Sequence, residues 1–145
     1  MSGSRGRVAV LLCSWRGTAH LAEQLDSIGA QSVPARTFVH DDASGDGTVA
    51  LARAHPAVER CVAHADNVGH VRNFERALAA ALDEDVEHFA FADQDDVWRE
   101  DRLAKGLAAM RELERRHGGA TPLLVHSDLA MIDAAGGEIA PSFLR

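Results

Sequence analysis

Strand-like and helix-like segments alternate along most of this chain, and this alternation restricts its fold more than any other feature. Val8 to Cys13 is a continuous apolar run, as expected for a strand covered on both faces. Leu21, Leu25 and Ile28 follow at helical spacing. Strand and helix alternate in this way four times before residue 118. The pattern predicts an α/β fold with a mostly parallel sheet, helices on both faces and right-handed crossovers.

Turn and capping residues set the predicted bounds of the elements. Thr18 stands where it can cap the first helix, Pro56 closes the second and Gly118 ends the fourth. The predicted strands are Val8–Cys13, Arg36–His40, Glu59–His64, His88–Ala92 and Leu123–His126, followed by a hairpin of Met131–Ile132 and Glu138–Ile139. A chain of 145 residues predicts a single domain, 1–145, with a disordered tail at residues 1–7.

Charge and cysteine content exclude several classes of function. The chain has 15 basic and 22 acidic residues, a net charge of −7, which disfavours nucleic acid as a partner and suits a protein that holds cations. Cys13 and Cys61 form no C-x-x-C pair, so neither a zinc knuckle nor a disulfide scaffold is indicated. The apolar runs are too short for a signal peptide or a membrane span. We therefore expect a cytoplasmic protein that can dock at the inner face of a membrane.

Acidic residues follow two of the predicted strands. Asp41-Asp42 ends the second strand, and Asp93-Gln94-Asp95-Asp96 ends the fourth. Ligands bind at the carboxyl ends of parallel strands, and carboxylates gathered there repel each other unless a cation lies between them. A divalent cation that bridges to phosphate is the expected occupant. For Asp41, Asp46 and Asp96, helix capping explains the sequence equally well.

Two alternative motifs are weaker. The segment that begins at Asp42 starts like a calcium loop, but its twelfth position is Arg53, where a bidentate Glu is required. An EF-hand is therefore excluded. Asp93-x-Asp95 after an apolar strand also resembles the motif of haloacid-dehalogenase-type phosphatases, in which the first Asp is the nucleophile. That motif usually lies on the first strand, so the phosphatase is kept as an alternative.

Four motifs in order carry a resemblance over Val8 to Arg145. They are the Val8–Trp15 segment, the acidic turn from Asp41 to Thr48, Asn67-x-Gly69 with Asn73, and Ala92-Asp93-Gln94-Asp95-Asp96-Val97-Trp98. In this order they resemble a family 2 glycosyltransferase with the GT-A fold. The last motif, with Leu124 to Leu129, resembles the rhamnosyltransferase-like branch.

The resemblance implies a role for each motif position. The nucleotide is assigned to Cys13, Ser14, Trp15, Asp41, Asp42, Arg72 and Asp93, and the metal, Mg²⁺ or Mn²⁺, to Asp93 and Asp95. Asp42 is expected to accept a hydrogen bond from the pyrimidine ring. Asp95 is expected to ligate the metal that bridges both phosphates.

The resemblance also implies a reaction and partners. It predicts an inverting transfer from a nucleotide-sugar, dTDP-rhamnose or a UDP-linked sugar, to a glycan or lipid-linked acceptor in cell-surface polysaccharide synthesis. It places the catalytic base beyond Arg145, so the domain is expected to be truncated and incomplete at its C-terminal side. His126 and Asp128 are the other candidates for the base within the chain. A nucleotide-binding remnant without turnover is the non-enzymatic alternative.

Overall fold

The first apolar run of the chain forms an inner strand of the sheet. A computed structural model describes residues 8 to 144, and the predicted tail, residues 1–7, lies outside the described residues. Strand β1 spans Val8–Ser14, and all of its residues are buried. A strand buried along its whole length needs a neighbour on each edge and a layer on each face. The rest of the first hundred residues provides both.

The elements follow the predicted order. After β1 come α1 (Leu21–Gly29), β2 (Arg36–Asp41), α2 (Thr48–Ala54), β3 (Val58–Ala63), α3 (His70–Ala81), β4 (His88–Ala92), α4 (Arg102–His117), β5 (Met131–Ile132) and β6 (Glu138–Ala140). The four long strands agree with the predicted bounds to within one residue at each end. Gly118, at a φ of 84°, ends α4 where the sequence predicts it.

The sheet has the strand order β3-β2-β1-β4, and every neighbouring pair is parallel. From β1 to β3 the chain moves step by step in one direction across the sheet, so right-handed crossovers place α1 and α2 on the same face. The connection from β3 to β4 runs back across the sheet, which places α3 on the opposite face. The predicted mostly parallel sheet with helices on both faces is confirmed.

Alternate residues of β1 contribute to the two halves of the core. Ala9, Leu11 and Cys13 form one cluster with Phe38 of β2 and with two alanines of α3, Ala77 and Ala81. The residues between them, Val10 and Leu12, point to the other face, as the pleat of a strand requires. There the helical stripe Leu21, Leu25 and Ile28 of α1 is buried.

Two predictions of local structure were wrong. Leu123–His126 forms no strand, and Leu124 is 78% exposed. A strand exists only where its backbone groups are paired, and this segment has no such pairing. Thr18 does not cap α1, because residues 18 to 20 form a turn and the helix begins only at Leu21. The predicted hairpin is present as the antiparallel pair β5 and β6.

The chain divides into two compact units, Met1–Leu103 and Ala104–Arg145. The first carries the four-stranded sheet, and the second carries most of α4 and the hairpin. In the second unit, Asp128 accepts hydrogen bonds from the backbone N–H groups of Leu129, Phe143 and Leu144 and from the hydroxyl of Ser142. None of the helices between residues 8 and 144 is long and apolar enough to cross a bilayer. That the whole chain is one domain stays a prediction.

Candidate functional site

The strand order creates a crevice at the carboxyl ends of β1 and β4. These two strands are neighbours, and the helices that follow β1 and precede β4 lie on opposite faces of the sheet. Such a switch point is where open α/β sheets bind ligands. A cleft of about 560 Å³ lies there, a size that suits a small molecule. Its lining consists of Cys13, Ser14, Trp15, Asp42, Asn67, Gly69, His70, Asn73, Asp93, Gln94 and Asp95.

Most of the predicted site residues come together in this cleft. Those that line it are Cys13, Ser14, Trp15, Asp42, Asp93 and Asp95. Asp41 and Arg72 do not line it. Asp41 is buried at the end of β2, and Arg72 is exposed on α3. The sequence thus located the cleft, whereas the role of each residue towards a ligand stays a prediction.

A side-chain amide joins the two strands that form the crevice. The backbone N–H of Trp15 donates to Gln94 Oε1 at 2.8 Å, and Gln94 Nε2 donates to the carbonyl of Trp15 at 3.0 Å. A Cβ atom added at Gly17 would lie 2.4 Å from Gln94 Oε1, so a side chain at position 17 would displace this amide. The contact fixes the acidic segment after β4 against the end of β1.

Helix α1 also holds the acidic segment after β4. Gln24, fully buried, donates from Nε2 to the carbonyl of Asp93 at 3.0 Å. Its Oε1 accepts from the hydroxyl of Ser27, whose oxygen accepts the backbone N–H of Trp98 at 2.9 Å. These bonds fix the backbone at both ends of the segment 93–98. The carboxylates of Asp93 and Asp95 therefore project from a rigid base.

Trp15 presents an aromatic surface at the cleft. It is 48% exposed, and the guanidinium of Arg16 lies 4.9 Å from its ring centroid. Arg16 adopts a φ of 50°, and its backbone N–H donates to the hydroxyl of Ser44 at 2.8 Å. A non-glycine residue in the left-handed region persists only where surrounding contacts hold it. The turn after β1 is thus shaped by the turn after β2.

Asp41 organises these two turns. Its Oδ2 accepts the hydroxyls of Ser14 at 2.9 Å and of Ser44 at 2.5 Å, and its Oδ1 accepts the backbone N–H of Ser44 at 2.9 Å. Ala43, in the turn between Asp41 and Ser44, has a φ of 62°. With its carboxylate engaged by neighbours on both turns, Asp41 supports the lining rather than forming it.

Asp42 joins the β2 end to the loop before α3. Its Oδ1 accepts the backbone N–H of Val68 at 2.9 Å, and its Oδ2 accepts that of Gly69 at 2.8 Å. Asn67 Nδ2 donates to the carbonyl of Asp42 at 2.9 Å. Gly69 has a φ of 85°, which only glycine adopts readily. The segment Asn67-x-Gly69 therefore supplies the backbone donors that bind the Asp42 carboxylate.

The electrostatics of the cleft are dominated by acidic groups. Burial, followed by the charges of Asp93 and Asp42, raises the pKa of the Cys13 thiol to about 12, so this thiol stays protonated. Burial, followed by the charges of Asp93 and Asp95, raises the pKa of Asp96. Both shifts reflect the negative charge that Asp42, Asp93 and Asp95 place at this end of the sheet.

Helix capping was an alternative to ligand binding for Asp41, Asp46 and Asp96, and it explains only Asp46. Asp46 Oδ1 accepts the hydroxyl of Thr48, the first residue of α2, at 2.5 Å and its backbone N–H at 2.8 Å, and these two bonds lower the pKa of Asp46. Asp41 bonds to the turn that contains Ser44 instead. Asp96 precedes α4 by several residues, since that helix begins at Arg102, so it is not a cap.

Comparison with protein families decides what this cleft belongs to. The sequence profile described as Glycosyl transferase family 2 matches residues 10–118. The chain belongs to glycosyl transferase family 2. The resemblance carried by the four motifs is thereby confirmed, and the match favours a transferase over the phosphatase alternative.

Solved structures of glycosyltransferases share the fold of this family 2 chain. TarS 1-349 of S. aureus, in complex with UDP-GlcNAc, superposes with a TM-score of 0.62 at 21% identity over 72% of this chain and 31% of that one. Mannosyltransferase PcManGT of Pyrobaculum calidifontis, in complex with GDP-Man and Mn²⁺, gives 0.59 at 26% identity over 72% and 32%. The predicted GT-A fold is confirmed.

A curated relative is similar over a comparable region. The dTDP-rhamnosyl transferase RfbG of Shigella flexneri is 26% identical over 102 residues, which are 66% of this chain and 35% of that protein. The family 2 chain thus spans about a third of the length of the relatives it matches.

The cleft of this family 2 chain offers carboxylates to a metal but no complete set of protein ligands. Within residues 8–144, no group of three or more His, Cys, Asp or Glu side chains is arranged to hold a metal ion. Mg²⁺ is commonly bound by one or two carboxylates, with substrate phosphates and water completing its shell. The paired carboxylates of Asp93 and Asp95, on a segment fixed by Gln24 and Gln94, fit a metal shared with a diphosphate.

Sequence reasoning missed two residues that shape the cleft, Gln24 and His70, and gave no role to Asn73 of the third motif. Gln24 is a polar residue within the apolar stripe of α1, a signal that could have identified it. Asn73, also buried, donates from Nδ2 to the carbonyl of His40 at 2.9 Å, and its Oδ1 has no partner in the described chain. His70, the first residue of α3, lines the cleft beside Asp93. Nothing in its spacing distinguished it from the other histidines.

Proposed function

We propose that this chain binds a nucleoside-diphosphate sugar, with Mg²⁺ or Mn²⁺, as the donor-binding portion of an inverting glycosyltransferase. The observation that carries the proposal is the cleft at the switch point between β1 and β4, with Asp42 on one side and Asp93 and Asp95 on the other. A nucleotide-sugar needs both a hydrogen-bond acceptor for the base and a cation site for the diphosphate. The cleft of this family 2 chain offers the two together.

Base recognition is proposed for Asp42, near Cys13, Ser14 and Trp15. Each Asp42 carboxylate oxygen already accepts one backbone N–H, and each has a second lone pair. The N3–H of uracil or thymine is a suitable donor for it, and adenine lacks that group. Trp15, which is 48% exposed and lines the same cleft, is proposed as the stacking surface for the base. The sugar nucleotide is therefore dTDP- or UDP-linked.

The diphosphate is proposed to lie against the end of β4. Asp95, with Asp93, would ligate a divalent metal. Arg72 and Asp41, the other two residues assigned to the nucleotide from the sequence, do not line the cleft. When bound, the metal supplies Lewis acidity that stabilises the negative charge on the departing nucleoside diphosphate. The protein's part is to hold both carboxylates in place through Gln24 and Gln94.

The sugar and acceptor are proposed from the similarity to RfbG, described as a dTDP-rhamnosyl transferase. The donor is then dTDP-rhamnose, and the acceptor a glycan or lipid-linked glycan of a cell-surface polysaccharide, at the cytoplasmic side of the membrane. We place the catalytic base beyond Arg145. Asp128 is a poor base because hydrogen bonds from Ser142, Leu129 and further backbone N–H groups lower its pKa.

Calorimetry on residues 1–145 tests the proposal. We expect dTDP and UDP to bind only weakly without metal and more tightly with Mn²⁺, and GDP and ADP to bind less well than either. Equal affinity for ADP, or the absence of any metal effect, would contradict the proposal. Hydrolysis of a simple phosphate ester, lost in Asp93→Asn, would instead support the phosphatase. Binding without donor hydrolysis or transfer, even when a longer chain is supplied, would indicate the non-catalytic remnant.

A further inference from the structure

A histidine without a predicted role contacts one of the cleft carboxylates. His70 Nε2 lies 3.1 Å from Asp93 Oδ1, and both residues line the cleft. A carboxylate only accepts hydrogen bonds, so Nε2 carries the proton and donates it to Asp93. The contact links the start of α3 to the end of β4, two elements that Asp42, Gln24 and Gln94 do not connect.

The ring of His70 is oriented by contacts other than Asp93. It packs edge-to-face on Phe74 at a centroid distance of 4.9 Å, and Phe74 packs edge-to-face on Phe91 of β4 at 5.4 Å. The backbone before it is fixed as well, because the N–H of Gly69 donates to Asp42 at 2.8 Å. The imidazole is thus held in place rather than drawn there by the carboxylate alone.

This pair adds little to the stability of the fold. The side chains of His70 and Asp93 are 70% and 56% exposed, and exposed ion pairs contribute little to folding. The chain has a second pair of the same length, His55 with Asp26 at 3.1 Å, and neither of these residues lines the cleft. Only the first pair controls a carboxylate that faces the candidate ligand.

We infer that His70 is a positioning residue that holds the Asp93 carboxylate for the metal–diphosphate complex. The inference rests on the proposed function. The hydrogen bond uses Oδ1 and limits the rotation of the carboxylate, so that Oδ2 can meet the ligand without a loss of side-chain freedom on binding. Partners that orient a ligating carboxylate change metal affinity by about 10- to 100-fold when removed.

Three substitutions separate the hydrogen bond from the packing. His70→Ala removes both, His70→Phe keeps a ring against Phe74 without the donor, and His70→Gln keeps an N–H donor. His55→Ala is the control, since it removes a histidine–carboxylate pair of the same length outside the cleft, with His55 12% and Asp26 79% exposed. Calorimetry with UDP, with and without MnCl₂, and circular dichroism are measured on residues 1–145 for each variant.

We expect His70→Ala and His70→Phe to weaken the Mn²⁺-dependent affinity for UDP by about tenfold, the lower end of the effect typical for partners of metal-ligating side chains. Their affinity without metal should be unchanged, His70→Gln should regain most of the loss, and His55→Ala should match the wild type. Unchanged Mn²⁺-dependent affinity in His70→Phe, no recovery in His70→Gln, or an equal loss without metal would each overturn the inference. Failure of the wild type to bind UDP would instead contradict the proposed function.

Discussion

Trp15 and Gln94 exchange two hydrogen bonds, from the backbone N–H of Trp15 to Oε1 and from Nε2 to the backbone carbonyl of Trp15. The pair behaves like one more rung of the sheet beyond the last residues of β1 and β4. Because Trp15 lies in the cleft and Gln94 stands between Asp93 and Asp95, this rung fixes the end of β1 relative to the acidic segment that is proposed to hold the metal.

Replacing Gln94 should separate binding from stability. In Gln94→Ala we expect affinity for UDP with Mn²⁺ to fall about tenfold, because Trp15 and the acidic segment lose their common anchor, with a stability loss of about 1 kcal/mol for each hydrogen bond removed. The control is Gln31→Ala, which removes bonds to Arg99 and Leu103 outside the cleft. It should lower the melting temperature comparably and leave the affinity unchanged. Equal affinity in both variants would show that the rung has no part in binding.

Asp95 should control the metal dependence. In Asp95→Ala the fold should be intact, since this side chain is exposed, while the Mn²⁺-dependent gain in affinity for dTDP should disappear. Asp95→Asn should be almost as damaging, because the charge is lost although the shape is kept. Calorimetry with and without Mn²⁺ measures both. A metal-dependent gain that persists in Asp95→Ala would exclude Asp95 as a ligand.

Asp42 should affect stability as well as binding. Asp42→Ala leaves the partly buried N–H groups of Val68 and Gly69 without their carboxylate acceptor, and a hydrogen bond to a charged group contributes about 1.5–3 kcal/mol. We expect a lower free energy of urea unfolding and, by hydrogen exchange, lost protection of these two amides. The variant should also lose the preference for dTDP and UDP over GDP and ADP. Asp46→Ala, at a helix start outside the cleft, is the control and should keep that preference. Unchanged exchange at residues 68 and 69 would show that the Asp42 carboxylate does not protect these two amides.

His40 should make stability depend on pH. Burial, followed by the charges of His64 and Arg60, lowers its pKa from 6.5 to about 4. Between these values the unfolded chain binds the proton and the folded chain does not, so acidification favours unfolding. The free energy of unfolding should fall by up to about 1.4 kcal/mol per pH unit from this group.

Urea unfolding between pH 7.5 and 5 measures this dependence. His40→Gln should flatten the profile, and exposed His20→Gln should leave its slope unchanged. An equally steep profile in His40→Gln would assign the effect to other groups.

Sequence predicted β1 and β4 because they are mostly apolar runs bounded by turn residues, and it located the cleft because acidic residues follow β2 and β4. It failed at Leu123–His126, where an apolar run looks like a strand but depends on a partner that local sequence does not specify. It also missed Gln24 and His70. Their importance comes from contacts between elements far apart in the chain, and periodicity carries no such information.

Strand β4 completes the sheet late, with a consequence for folding. It pairs Val8 with His88, so the contact closes a loop of about 80 residues, whereas β1 and β2 pair across fewer than 30. Contacts of such long range form slowly. Until β4 has been synthesised and docked, one edge of the apolar strand VAVLLCS is open, and open edges of this kind attract other chains. Chaperone demand and misassembly should therefore concentrate in the interval before residue 92 leaves the ribosome.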